Sequence, residues 1–109
     1  MKEIKAYVQP FVLYKVVRAL HEISGLPGCT VSEARAYPRS PKGLVAEDVI
    51  EWTGLVCLHI VVADKIADRV VGTIQKAAHT GSKTDGKIFV TEVVEAVNVR
   101  TNERGEKTL

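Results

Sequence analysis

This sequence of 109 residues contains only two cysteines, one tryptophan and two phenylalanines. The cysteines, Cys29 and Cys57, lie in separate apolar runs without a CxxC spacing, so reduced, buried thiols are expected and not a disulfide framework. No apolar run reaches the roughly 18 residues that a membrane-spanning helix needs. The start, MKEIKAYV, lacks the apolar core of a signal peptide. The expected location is therefore the cytoplasm.

An excess of either charge is also absent. Fifteen lysines and arginines oppose thirteen aspartates and glutamates, a net charge of +2 at pH 7. This balance does not favour nucleic acid or a membrane surface as the partner. With 46% hydrophobic and 26% charged residues, the composition excludes a disordered chain. A chain of this length predicts one domain, residues 1–109, with one hydrophobic core and no room for a large enclosed active site.

The spacing of apolar residues predicts alternating strands and helices. Residues 2–8 alternate with period two, as a strand does, whereas residues 13–23 carry apolar side chains at helical intervals. Gly25 is suited to the left-handed cap after the first helix, and Asp64 to the N-cap of the second. The remaining predicted elements are a strand at Cys29–Tyr37, a central strand at Leu55–Val62, a helix ending at Thr80–Gly81, a strand from Ile88, an alternating stretch at Val93–Arg100, and a polar tail at 101–109.

This order of elements predicts an α+β fold. Two right-handed βαβ units that share one sheet form a ferredoxin-like split βαβ sandwich, βαββαβ, with both helices on one face. The other face stays uncovered, although the central strand supplies apolar residues to both faces: Val56, Leu58, Ile60 and Val62 to one, and Leu55, Cys57 and Val61 to the other. An uncovered apolar face in a chain of this size predicts self-association as a symmetric homo-oligomer.

Two loops are the candidates for function. The loop that begins at Pro38 contains two prolines and exceeds the usual hairpin length of about 2–5 residues, which indicates a purpose beyond connection. The turn 80–87 contains two glycines and two lysines. It predicts either an anion nest of backbone N–H groups or an ordinary solvated turn. Arg39 and Arg100 gain significance only if they converge with Lys87 on one cleft, because polyphosphate needs several cations.

Catalytic and metal-binding patterns are weak. No Ser/His/Asp or Cys/His set has supporting context, and no pair of carboxylates stands out, so an enzyme is not expected. Cys57 and His59 are two residues apart and point to the same side of a strand. A metal site there would need a further ligand, most simply from another subunit. The alternative is a buried histidine that bonds to a neighbour.

Several segments of the chain, in the same order, resemble the PII signal-transduction (nitrogen regulatory) proteins. The similarity covers nearly the whole chain except the long loop. The residues that carry it are GCTVSE at 28–33, TGSKTDGKIFV at 80–90, VRTNERGE at 99–106, Ile4-x-Ala6, Pro10-Phe11, and Ile60-Val61-Val62-x-Asp64.

The resemblance implies a homotrimer of ferredoxin-like subunits whose sheets face inward. It implies that adenine nucleotides bind in the clefts between subunits: ADP or ATP, with AMP as an alternative and the need for Mg²⁺ left open. Residues 38–52 correspond to the family's T-loop, which docks onto a transporter, enzyme or regulator. Residues 80–87 correspond to its B-loop and 101–109 to its C-terminal loop. The implied nucleotide-binding residues are Thr30, Tyr37, Arg39, Val62, Asp85, Gly86, Lys87 and Arg100.

The sequence also departs from the family pattern. Thr84 replaces a B-loop glycine, and Ser40 replaces the glutamine that helps to hold Mg-ATP with 2-oxoglutarate. Leu55 lies near the place of a lysine that pairs with 2-oxoglutarate, and Asn98 replaces the first of two arginines. The T-loop also lacks the tyrosine that is uridylylated in many members. We therefore expect altered nucleotide binding and no normal response to 2-oxoglutarate.

A second hypothesis keeps the trimer and changes the ligand. The structurally similar divalent-cation tolerance proteins suggest a trimeric metal or small-anion sensor. His59 and Cys57 would then be the first candidate ligands.

Overall fold

The structure, a computed structural model, describes residues 1–37 and 52–109. Four strands in these residues pair antiparallel in the order β2-β3-β1-β4. This order is that of the predicted split βαβ sandwich, so the α+β, ferredoxin-like fold is confirmed. The elements are β1 (Lys2–Val8), a 3₁₀ turn (Pro10–Val12), α1 (Leu13–His21), β2 (Thr30–Ala36), β3 (Thr53–Val62), α2 (Asp64–Ala78), β4 (Gly86–Glu92) and a final 3₁₀ turn (Glu106–Thr108).

The core lies between the helices and one face of the sheet. Alternate residues of the two central strands face it, and antiparallel pairing sets Ile4 opposite Ile60 and Ala6 opposite Leu58. These four side chains have at most 1% of their surface exposed. The helices complete the core with Val16 and Leu20 from α1 and with Ala67, Val70, Ile74, Ala77 and Ala78 from α2.

The opposite face of the sheet is open and partly apolar. Tyr7 and Cys57 are paired positions on this face, and Tyr7 packs edge-on against Phe89 with ring centroids 6.3 Å apart. Half of the surface of Phe89 remains exposed. The predicted uncovered apolar face is therefore present, while the oligomer that would cover it stays a prediction.

Both ends of α2 differ from the prediction. Ala63 is its N-cap, and Asp64 is the first helical residue. The Asp64 carboxylate instead accepts a hydrogen bond from the Met1 amino group at 2.9 Å, which lowers the pKa of Asp64. α2 ends at Ala78, before Thr80–Gly81, because His79 has an extended backbone. Gly25 adopts the left-handed conformation predicted after α1, with φ +81°.

The alternating stretch Val93–Arg100 is not a strand. β4 ends at Glu92, and beyond it a single isolated bridge joins Val97 to Arg104. Residues 97–104 form a narrow turn, so the alternation of apolar residues in this segment, which is typical of a strand, does not mark one here. None of the helices in the described residues is long and apolar enough to span a membrane.

Candidate functional site

The B-loop is closed by the carboxylate of Asp85. This carboxylate accepts hydrogen bonds from the Thr80 backbone N–H at 2.8 Å, from the Gly81 backbone N–H at 2.9 Å and from the Thr80 hydroxyl. The bonds from Thr80 and then Gly81 lower the pKa of Asp85, so the group stays ionised at neutral pH. The backbone N–H groups do converge as in an anion nest, but the anion that they hold is the chain's own Asp85.

Two hydroxyls complete the closure of the B-loop. The Ser82 N–H donates to the Thr80 hydroxyl oxygen at 3.2 Å, and the Thr84 N–H donates to the Ser82 hydroxyl oxygen at 3.2 Å. The hydroxyls of Ser82 and Thr84 also lie 2.9 Å apart. Thr84, which departs from the family pattern, thus takes part in the loop's own hydrogen-bond network.

Gly86 joins the B-loop to β4 where two backbones approach closely. Its φ is +104°, a conformation that residues with a side chain rarely adopt. A Cβ atom on Gly86 would overlap the Tyr7 carbonyl oxygen and lie 2.8 Å from its carbonyl carbon. The chain can therefore pass from the loop into β4 only with glycine here. Lys87 follows directly, opposite Tyr7 in the sheet.

A cleft of about 370 Å³, which we name the Lys87 cleft, lies on the open face of the sheet beside the B-loop. Lys83 and Lys87 line its loop end, and no aspartate or glutamate among the described residues lines it. Arg35 of β2 adds a third cation at the end away from the loop, and the rest of the wall is apolar and aromatic, formed by Tyr7, Ala34, Ala36, Tyr37, Leu55 and Phe89. Three cations around an apolar wall, with no carboxylate among the described lining residues, suit an organic anion.

The other end of the cleft adjoins the base of the long loop. Tyr37 is exposed there, and the Arg35 guanidinium stacks over the Trp52 ring, 4.5 Å from its centroid. Residues 38–51 lie outside the described residues. The predicted T-loop and the predicted phosphate contact of Arg39 therefore stay predictions.

Thr30 and Val62 do not line the Lys87 cleft within one chain. Thr30 is exposed on the edge strand β2, opposite His59, while Lys87 is on the other edge strand, β4. The Val62 side chain is fully buried in the core. Only its backbone is therefore available to a ligand.

Arg100 lies in the turn after β4 and is also not among the residues that line the Lys87 cleft. The Asn98 side-chain oxygen accepts hydrogen bonds from the Arg100 N–H at 2.9 Å and the Thr101 N–H at 3.2 Å. Arg104 pairs with Glu95 at 2.8 Å and holds the base of the turn. Asn98, counted from sequence as a missing arginine, thus organises the turn that presents Arg100. Its known tendency to cap turns is the signal that sequence analysis missed.

Within the part of the chain that the structure describes, no third ligand joins the two candidate metal ligands. Cys57 is buried and His59 is half-buried on β3, where His59 is paired with Lys5 and Thr30. Across residues 1–37 and 52–109, no group of three or more histidine, cysteine, aspartate or glutamate residues could hold a metal ion.

Known proteins of one family match this chain over almost its entire length. The family model described as "Nitrogen regulatory protein P-II" matches residues 1–103. The P-II proteins of Azospirillum brasilense and Rhodospirillum rubrum are each 44% identical to this chain over 96% of both sequences. P-II 1 of Escherichia coli is 39% identical over the full length of both.

A match to a solved structure indicates the same family. Arabidopsis thaliana PII bound to citrate superimposes with a TM-score of 0.80 and 36% sequence identity, over 97% of this chain and 89% of that one. The resemblance predicted from short motifs is thus confirmed by matches that span the domain. This chain belongs to the P-II nitrogen regulatory protein family.

Proposed function

We propose that this chain forms a homotrimeric PII-type regulator that binds ADP or ATP, with AMP as an alternative, in clefts between its subunits. It acts by binding and not by catalysis, and nucleotide occupancy changes how residues 38–52 fit a partner protein. The observation that carries the proposal is the Lys87 cleft: two lysines at a closed loop, with no carboxylate among the described lining residues.

The distribution of the expected ligand residues supports a site shared between subunits. Thr30 and Lys87 lie on the two opposite edge strands of the sheet, and Thr30 does not line the cleft that contains Lys87. A cyclic trimer that sets the β2 edge of one subunit beside the β4 edge of the next would bring the two residues together. The same ring would cover the open sheet face that carries Tyr7 and Phe89.

The cleft also supports a loss of the normal 2-oxoglutarate response. Leu55 of β3 lines it, so the wall opposite the B-loop has no ammonium group at this position. The cation at this end of the cleft, the Arg35 guanidinium, is stacked over the Trp52 ring, so a second carboxylate of the ligand would meet the apolar Leu55 side chain and pay a desolvation cost. We therefore propose that 2-oxoglutarate adds little to nucleotide binding in this protein.

A small organic anion as the main ligand is the second candidate. The related Arabidopsis protein is described as bound to citrate. The cleft of this chain offers citrate the same cations, Lys83 and Lys87, that it offers a phosphate. A metal as the ligand has no comparable support among the described residues.

Isothermal titration of the assembled protein tests the proposal. Heat is expected with ADP or ATP in the presence of Mg²⁺, at one site per subunit, from particles that sediment at three times the 11.9 kDa of the chain. Adding 2-oxoglutarate should change the nucleotide Kd by less than about twofold, under 0.5 kcal/mol. Heat with citrate but with no nucleotide would favour the second candidate. No heat with any nucleotide would remove the first.

A further inference from the structure

The B-loop is fastened to the rest of the fold by a side chain that lies 75 positions away. Gln9 follows β1, and its side-chain amide donates a hydrogen bond to the Thr84 carbonyl oxygen at 2.6 Å. The side-chain hydrogen bonds of Thr80, Ser82 and Asp85 all end within the loop itself. Among the described residues, Gln9 is therefore the side chain that hydrogen-bonds the loop to another element.

A loop that is closed only on itself can still rotate as a unit about its two ends. The exit of the B-loop is fixed, because the Gly86 backbone packs directly against Tyr7. The Gln9 bond fixes a second point, at Thr84, between Lys83 and the exit. Two separated points determine the orientation of the loop relative to β1, and with it the position of Lys83 at the mouth of the cleft.

We propose that Gln9 is a positioning residue for the phosphate-binding loop, an inference that rests on the proposed nucleotide function. Gln9 does not line the Lys87 cleft and carries no charge, so it acts on the ligand only through the loop. Holding the loop before the ligand arrives removes the ordering cost from the binding step. The gain in affinity should equal the effect of one neutral hydrogen bond, about three- to tenfold.

The test compares Gln9→Met with Ser24→Met. Methionine has nearly the length of glutamine but no N–H donor, and the control introduces the same side chain, with no change of charge, at an exposed position in the turn after α1. Hydrogen–deuterium exchange of residues 80–86 is measured first, without nucleotide. We expect faster exchange in Gln9→Met, exchange like the wild type in Ser24→Met, and restored protection in Gln9→Lys, whose ammonium can donate to the same carbonyl.

Nucleotide affinity is the second readout. Gln9→Met should weaken ADP or ATP binding about three- to tenfold while leaving the slope of affinity against salt unchanged, because no charge is removed. Unchanged exchange of residues 80–86 in Gln9→Met would show that the Gln9 hydrogen bond does not hold the loop. Faster exchange with unchanged affinity would overturn the positioning role. If the wild type binds no nucleotide, the proposed function fails and the positioning role with it. The exchange measurement then still shows whether the Gln9 hydrogen bond holds the loop.

Discussion

Replacing Gly86 with alanine should lower the free energy of unfolding by more than about 3 kcal/mol, the largest effect expected of alanine at any glycine that the structure describes. The added Cβ would overlap the Tyr7 carbonyl oxygen, and the residue would have to keep φ near +104°. Relief requires β1 and β4 to separate at Gly86 and Val8, where their pairing begins. Thermal unfolding at fixed protein concentration should show a Tm lower by at least about 10 °C.

Alanine variants at two other glycines distinguish the effect of the steric clash from the effect of the positive φ. Gly81 also has a positive φ, +90°, but nothing lies within 4 Å of its Cβ position, so Gly81→Ala should cost only about 1 kcal/mol. Gly72 is helical and unobstructed, so Gly72→Ala should stabilise α2 by up to about 1 kcal/mol. Equal losses in Gly86→Ala and Gly81→Ala would contradict the close approach to Tyr7.

Replacing Lys87 with alanine should weaken the binding of ADP and ATP about tenfold to a hundredfold. A charge-assisted contact to phosphate contributes about 1.5–3 kcal/mol, and Lys87 is one of two lysines that line the cleft. Stability should hardly change, because the Lys87 side chain is exposed. Isothermal titration at two salt concentrations measures both the loss and the smaller salt dependence that follows from removing one cation.

Lys76 provides the matched control for Lys87. It is exposed on α2, away from the cleft, and Lys76→Ala removes the same charge from the molecule. Its nucleotide affinity should stay within about twofold of the wild type, since a distant exposed charge is screened. If both variants bind nucleotide equally well, the phosphates do not contact Lys87.

The fold was predictable because its core follows simple periodicities. Ile4, Ala6 and Val8 alternate, and Val16 and Leu20 recur at helical spacing, and all five are buried as their pattern requires. The segment after β4 was not predictable in the same way. Its alternation also fits a narrow turn, and only the hydrogen bonds accepted by Asn98 distinguish the two. Val99 there is fully exposed, so no core burial supported a strand.

The candidate site was predictable in composition but not in detail. The glycines and lysines of residues 80–87 left both an anion nest and an ordinary solvated turn open, and in the structure Lys87 lines a cationic cleft. The sequence could not show that the carboxylate of Asp85 occupies the loop's N–H groups, nor that Gln9 bonds to Thr84. The first depends on the closure of a loop, and the second on a sheet register that brings together residues distant in sequence.

Mixed trimers test most directly whether the nucleotide site is shared between subunits. Lys87→Ala and Arg100→Ala are purified separately and refolded together in equal amounts, and ADP binding is titrated. A site that takes Lys87 from one subunit and Arg100 from the next should reappear with near wild-type affinity in about one quarter of the clefts, because each intact cleft needs one particular pair of neighbours. A mixture that binds ADP no better than either parent would contradict the shared site.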